Sequence, residues 1–461
     1  MTCNFRRKKN RPRKLARRCE MRLGRNLMAC CALWALMAGL GASAQTSRPP
    51  GKHVADPEAR ALNDLLNAAQ AAVDKQDFEA AAQNYRDYLA KKPDDAIVHY
   101  DLGYVYSALN RPGDAKDEYQ RATELDPKMA PAFLNLGIML LRSDPGAAAV
   151  PLRKAAELTP EDAHIRWLLG TALDRSGKLP EAIEQYQNAR KLDDADVTIH
   201  LSLAHALLAT GRSAEAEAEY RSALGLKGSP AELSEAHAGL AESLLVGKKL
   251  PEASAELKSY LQAHPEDAKA RVERASLLFD LDKPDEALAE LDHAAKSGTE
   301  DLRALQLRSD ILWKQKRYAD AVAPLQKAAA LAPNDADIST RLGEAYLQTK
   351  DYPDAAHWLA IAYRLNPSSN DVVAYLVDTE YQLKNYPQAL AALDELGRRE
   401  QLPPASWYVR ASCYDKLGEA AEALDAYQKF LQLNKDQNSD MYFVSTARVR
   451  ILTRELQNKK R

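Results

Sequence analysis

The chain has 461 residues, with 63 Lys and Arg against 65 Asp and Glu and a formal net charge of −2. Residues 1–44 hold eleven basic residues and one acid, so residues 45–461 hold 52 and 64 and carry a formal −12. A body this acidic excludes ready binding to nucleic acid or anionic lipid, both of which need clustered positive charge.

In chain order, the basic residues of 1–26 are followed by an apolar run, Leu27–Leu40, and then by Gly41-Ala42-Ser43-Ala44-Gln45. A positive segment, a short apolar segment and an A-x-A site predict a signal peptide over residues 1–44, removed on export. A start at Met21 leaves a leader of ordinary size. The apolar run falls short of the ~20 residues that span a bilayer, which favours cleavage over a retained anchor. Leu27-Met28-Ala29-Cys30 has the look of a lipidation box but stands at the start of the apolar run, whereas a lipidated cysteine should follow it, so it is not read as one. Cys3, Cys19, Cys30 and Cys31 lie in this leader. Cys413 alone remains, so the exported chain has no internal disulfide, and a lone thiol on a helix is expected as a small buried hydrophobe. Residues 45–61, polar and with three prolines, read as a tether.

From residue 62 the chain is periodic. Ala81, Ala115, Ala148, Ala182, Ala216, Ala253, Ala287, Ala321, Ala355, Ala389 and Ala423 recur at 34 residues in eight of ten intervals, with one of 33 and one of 37. Four residues after each comes Tyr or Leu, as at Tyr85, Tyr119, Leu152 and Tyr220. Twelve before it stands a small residue in most repeats (Gly103, Ala204, Gly343), and twelve after it often a proline (Pro93, Pro127, Pro333). A period of this length predicts stacked helical hairpins, because one hairpin cannot bury its own apolar face. Small residues belong where helix axes approach most closely, large ones in the gaps beside them, and proline where a helix stops. One residue is lost near Ser143–Gly146, and three are gained around Gly228–Leu233, where the sequence predicts either a bend between two blocks or a loop insertion.

The second repeat, AIVHYDLGYVYSALNRPGDAKDEYQRATELDPKM, places Leu102, Gly103, Tyr106, Ala115, Tyr119, Ala122 and Pro127 where the tetratricopeptide repeat has its signature residues. The chain resembles that family over residues 62–437. The resemblance implies an all-α fold, a right-handed α-solenoid superhelix of about eleven helix-turn-helix hairpins. Repeats 1–5 then occupy residues 62–233 and repeats 6–11 residues 234–437, with a capping helix and tail over 438–461 that cover the last repeat.

Little chemistry is visible. The repeats leave no room for a catalytic domain, and there is no Gly-rich phosphate loop, no H-E-x-x-H and no G-x-S-x-G. The nine histidines show no metal-ligand spacing. No catalytic residue, metal ligand or cofactor is therefore assigned. In the family the first helix of each hairpin lines a groove with repeat positions 2, 5, 9, 12 and 13. Those positions are apolar or aromatic in repeats 2–5, at Tyr100, Tyr104, Leu134, Ile138, Trp167 and Leu201. In repeats 8–10 position 9 is acidic, at Asp310, Glu344 and Asp378. Charges on neighbouring helices about 10 Å apart repel by only about 0.4 kcal/mol in water, so such a ladder costs little to keep. The Lys and Asn pair that family members use to hold a chaperone's C-terminal carboxylate is absent from every repeat.

The resemblance implies a non-catalytic protein-interaction scaffold, here expected on the outer side of the cytoplasmic membrane, periplasmic or secreted. Its expected partner is a peptide or helix held by the nine groove residues above, with no nucleic acid and no stable membrane insertion once the leader is removed. The sequence leaves open an accessory protein that binds carbohydrate for polysaccharide export or cell-wall work, using aromatic rings such as Trp167, Trp313, Tyr100, Tyr104 and Tyr408.

Overall fold

The computed structural model describes residues 57–298 and 300–459. The predicted leader and most of the predicted tether lie outside them. Among the described residues there are 23 helices and no strand: α1 Pro57–Asp74, α2 Phe78–Leu89, α3 Ala96–Ala108, α4 Pro112–Leu125, α5 Ala130–Ser143, α6 Pro145–Leu158, α7 Ala163–Arg175, α8 Leu179–Leu192, α9 Val197–Ala209, α10 Ser213–Gly225, α11 Pro230–Val246, α12 Leu250–Ala263, α13 Ala268–Asp280, α14 Pro284–Lys296, α15 Leu302–Lys314, α16 Tyr318–Leu331, α17 Ala336–Gln348, α18 Tyr352–Leu365, α19 Asn370–Gln382, α20 Tyr386–Arg399, α21 Pro404–Leu417, α22 Ala420–Leu433 and α23 Asp440–Lys459. Of the described residues, those from 69 to 459 form one compact unit, and 57–68 fall outside it. Within that unit, α3 to α22 pack as ten successive hairpins, each stacked on the next, and α23 packs on α22. This is an all-α solenoid.

Local signals set the helix ends. Asp95, Asp162, Asp196, Asp267, Asp301 and Asp335 each accept a hydrogen bond from a backbone N–H in the first turn of the helix they precede. Such caps are worth about 1 kcal/mol each. Between the two helices of a hairpin the chain turns through one left-handed residue: Gln76, Asn110, Gly177, Gly211, Lys248, Asp282, Lys316, Lys350, Lys384 and Gly418. Repeat 3 lacks this residue. There Asp144 ends α5 and its side chain caps α6 at the Ala147 N–H, with Pro145 opening the helix. The lost residue of the 33-residue interval is thus the turn residue itself.

The packing follows the period. All eleven recurring alanines are fully buried. A Cβ added at Gly103, Gly137, Gly170 or Gly343 would lie 2.8, 2.5, 2.6 or 2.6 Å from the large side chain sixteen or fifteen residues on, Tyr119, Leu152, Tyr186 or Leu359. No real contact is that short, so glycine is what allows each pair of helices to close. The three-residue insertion near Gly228 becomes an added turn at the start of α11, capped reciprocally by Ser229 and Glu232. The largest core cluster runs through it without interruption, from Leu141 to Leu277. The tightest approach also lies here: a Cβ at Gly239 would stand 2.2 Å from the Tyr220 ring of the preceding repeat.

Cys413 is fully buried, as a lone helical thiol should be, and desolvation pushes its pKa up to about 11.

Candidate protein-interaction surface

The first helices of successive hairpins, α3, α5, α7 and α9, carry the predicted apolar residues. Tyr100 and Tyr104 stand one turn apart on α3, Leu134 and Ile138 one turn apart on α5. Tyr104 is 36% exposed, while Tyr100, Leu134 and Ile138 are half-buried. The Asn135 Nδ2 donates to the Tyr100 hydroxyl at 3.4 Å, which ties α3 to α5. Ile97, at position 2 of the same repeat, is 63% exposed and joins this wall. The residues expected from the sequence lie at positions 5 and 9, and the same register places Ile97 beside them.

Trp167 and Leu201 sit differently. They are only 9% and 4% exposed, inside the core cluster of repeats 3–7. The Trp167 indole N–H donates to Ser202 Oγ at 2.9 Å, and its ring stacks on His164. Here position 5 of one repeat packs against position 6 of the next, so these side chains join repeats rather than face solvent. Of the six predicted apolar residues, those not enclosed in the core lie in repeats 2 and 3.

The acidic ladder is partly internal as well. Asp310 is ion-paired to Arg341 of the next repeat. Glu344 accepts a hydrogen bond from Tyr375; desolvation raises its pKa, and the Tyr375 bond and Arg341 pull it back. Asp378 is exposed to solvent, yet neighbouring protein still raises its pKa by desolvation. Arg341 and Tyr375 stand 31 residues after Asp310 and Glu344, which is the offset from position 9 to position 6 of the following repeat. The pairing links unlike repeat positions, so a comparison of like positions along the sequence does not reveal it.

Three further carboxylates on first helices were not singled out by the sequence. Burial, with a smaller contribution from Asp95, raises Asp101 to about 6. Glu242 and Glu273 are raised by desolvation, with Arg303 and Lys269 pulling Glu273 back. Asp101 neighbours Tyr100 on α3, so the apolar wall of repeats 2 and 3 has one half-buried acid in it.

A second recurring device is absent from the sequence reading. His99 Nδ1 meets Glu118 Oε2 at 2.5 Å, His200 Nδ1 meets Glu219 Oε2 at 2.8 Å, and His237 Nδ1 meets Glu256 Oε2 at 2.6 Å. Arg271 and Glu290 repeat the pairing at 2.9 Å. Each joins repeat position 4 to position 23, nineteen residues apart. His99 Nε2 also faces the Pro93 carbonyl at 2.9 Å, and His200 Nε2 the Asp194 carbonyl at 3.1 Å. Both nitrogens of these two rings face acceptors, whereas a neutral imidazole has one N–H, so the geometry calls for imidazolium. For His99, burial lowers the pKa but the bonds to Glu118 and Pro93 outweigh it; for His200 the Glu219 bond leads. These clasps join helices within a hairpin and to the loop before it.

Among the described residues no group of three or more His, Cys, Asp or Glu is placed to hold a metal ion, and no helix is long and apolar enough to cross a membrane.

The profile of the tetratricopeptide repeat matches nine segments between residues 66 and 438, eight overlapping ones that run from 66 to 370 and a ninth over 376–438. The chain belongs to the tetratricopeptide repeat family. Among curated proteins, this tetratricopeptide-repeat chain is similar to the Protein O-mannosyl-transferase TMTC3 of Homo sapiens, at 28% identity over 48% of this chain and 26% of that one. It spans about a quarter or less of the length of the curated relatives it matches. Among solved structures it is similar to a MamA protein, at 24% identity and a TM-score of 0.35, over 36% of this chain and 91% of that one. The structure titled "Functional Characterization of Pseudomonas Aeruginosa pilF" is similar at 22% identity and a TM-score of 0.37, over 50% and 97%. Tetratricopeptide arrays serve generally as protein-interaction scaffolds, and this chain carries such an array.

Proposed function

We propose that the chain is an exported scaffold of the cell envelope that holds a peptide or helix of a protein partner against the first-helix wall of repeats 2 and 3. The observation that carries this is the wall itself. Ile97 and Tyr104 are exposed beside half-buried Tyr100, Leu134 and Ile138, and contiguous exposed apolar surface in a water-facing protein marks an interaction site. Apolar contacts there supply affinity. The carboxylates farther along, Asp378 above all, favour a basic segment of the same partner and speed its approach. The export part of the reading rests on the leader-like sequence of residues 1–44.

The test is capture from envelope extract with residues 45–461, comparing wild type with Ile97→Ser/Tyr104→Ser. The expected result is a discrete protein partner lost by the double variant while its helical circular dichroism stays unchanged. A partner retained by the variant overturns the reading of this wall. Polysaccharide in the eluate without protein moves the assignment to carbohydrate binding. That second reading is less favoured, because Trp167 is buried and Trp313 packs edge-on against Tyr318 at 4.8 Å, leaving no run of open rings.

A further inference from the structure

The last helix has one face fixed and one face open. Leu452 and Ser445 of α23 are buried, and Arg448 Nε donates to Asp415 Oδ2 at 2.7 Å, so the helix is pinned in rotation on the end of the array. The opposite side exposes Asp440, Phe443, Val444, Ala447, Arg450, Ile451 and Arg454. These lie three and four residues apart and so form one straight stripe along the helix. Phe443 is 61% exposed, Val444 44% and Ile451 41%, which is the largest group of open apolar side chains among the described residues.

The stripe is self-complementary about its centre. Antiparallel pairing with an identical helix, on a two-fold axis at Ala447, sets residue 443 against 451, 440 against 454, and 444 against 450. Phe443 of each copy then covers Ile451 of the other. Asp440 of each meets Arg454 of the other; among the described residues neither is ion-paired within its own chain. The aliphatic stem of Arg450 lies over Val444 with its charge at the rim. Alanine at the axis permits helices to approach within 8–10 Å. Parallel pairing instead opposes Asp440 to Asp440, Arg450 to Arg450 and Arg454 to Arg454, all like charges. A two-fold interface of this kind uses one patch twice and closes on itself.

We infer that α23 is a homodimerisation helix, which takes α23 of a second copy in antiparallel register and joins two arrays end to end. The occupant follows from the charge pattern: an apolar stripe with an acid at one end and a base at the other matches its own reverse. One helix from each copy makes a small interface, in the weak class, so association is concentration-dependent.

The test is sedimentation velocity of the full chain over a wide concentration range. A monomer–dimer equilibrium is expected, abolished by Phe443→Glu. Asp440→Arg alone and Arg454→Asp alone should each weaken the dimer at least tenfold, and the two together should restore it. Restoration cannot come from misfolding, and it separates a specific register from general stickiness. A monomer at every concentration overturns the inference, as does a dimer indifferent to the charge exchange. So does a monomer that co-sediments with phosphatidylglycerol vesicles through Arg450 and Arg454, which makes the stripe a lipid-surface helix.

Discussion

Gly239→Ala isolates what the array requires at its most crowded point. The added Cβ would stand 2.2 Å from Tyr220 Cζ, 2.4 Å from Cε1 and 2.5 Å from the hydroxyl. Carbon atoms rest about 3.5–4.0 Å apart, so either the ring leaves its site or α10 and α11 separate by more than about 1 Å. Tyr220 is fully buried, so the ring has nowhere to go. Overpacking of this kind costs about 1–3 kcal/mol, and the upper end applies. Alanine returns about 1 kcal/mol through its better helix propensity. The net expectation is a loss of about 2 kcal/mol. Gly113→Ala is the control: it is exposed, near the start of α4, and a Cβ there meets nothing within 4 Å. It should be neutral or stabilising by up to about 1 kcal/mol. Urea unfolding followed by circular dichroism reads both. Hydrogen exchange on α10 and α11 shows whether the loss is local, as quasi-one-dimensional arrays permit. A Gly239→Ala protein as stable as wild type would refute the close approach and with it the account of how the inserted turn is absorbed.

Two further predictions concern stability. Because folding raises the pKa of His200, its clasp with Glu219 stabilises fully below the unfolded value of about 6.5 and loses that effect as pH rises through the folded value. Groups facing the ring are Glu219 from α10, Asp194 from the preceding loop and Arg190 from α8, which shares Glu219. The destabilisation caused by His200→Gln, measured by thermal unfolding, should therefore be larger at about pH 5.5 than at about pH 8.5; an equal loss at both removes the ionic part of the clasp. Lys350 holds φ at +65° in the turn between α17 and α18, a region that costs a non-glycine residue about 1–2 kcal/mol. Lys350→Gly should shift the urea midpoint upward by the equivalent of about 1 kcal/mol, less what glycine returns to the unfolded chain; a downward shift contradicts the turn geometry.

The period alone determined the fold. Alanine every 34 residues, large residues four later and prolines at helix ends state the same hairpin eleven times, and each statement is local. Helix phase and the buried alanines followed from spacing, while the resemblance to the tetratricopeptide repeat rested on signature residues such as Gly103, Ala115, Tyr119 and Pro127. What spacing could not decide was which side chains of one helix are claimed by the next. Trp167 and Tyr104 share a helix face by register, yet Ser202 and the core enclose Trp167 while Tyr104 stays open. Asp310 and Asp378 occupy one repeat position, yet Arg341 claims Asp310 and Asp378 is left to solvent. The histidines looked scattered until the fold set position 4 beside position 23. Register fixes the direction in which a side chain points. Whether it meets water or a neighbour depends on the residue that the adjacent repeat presents across the gap, and only the tertiary structure brings those two together.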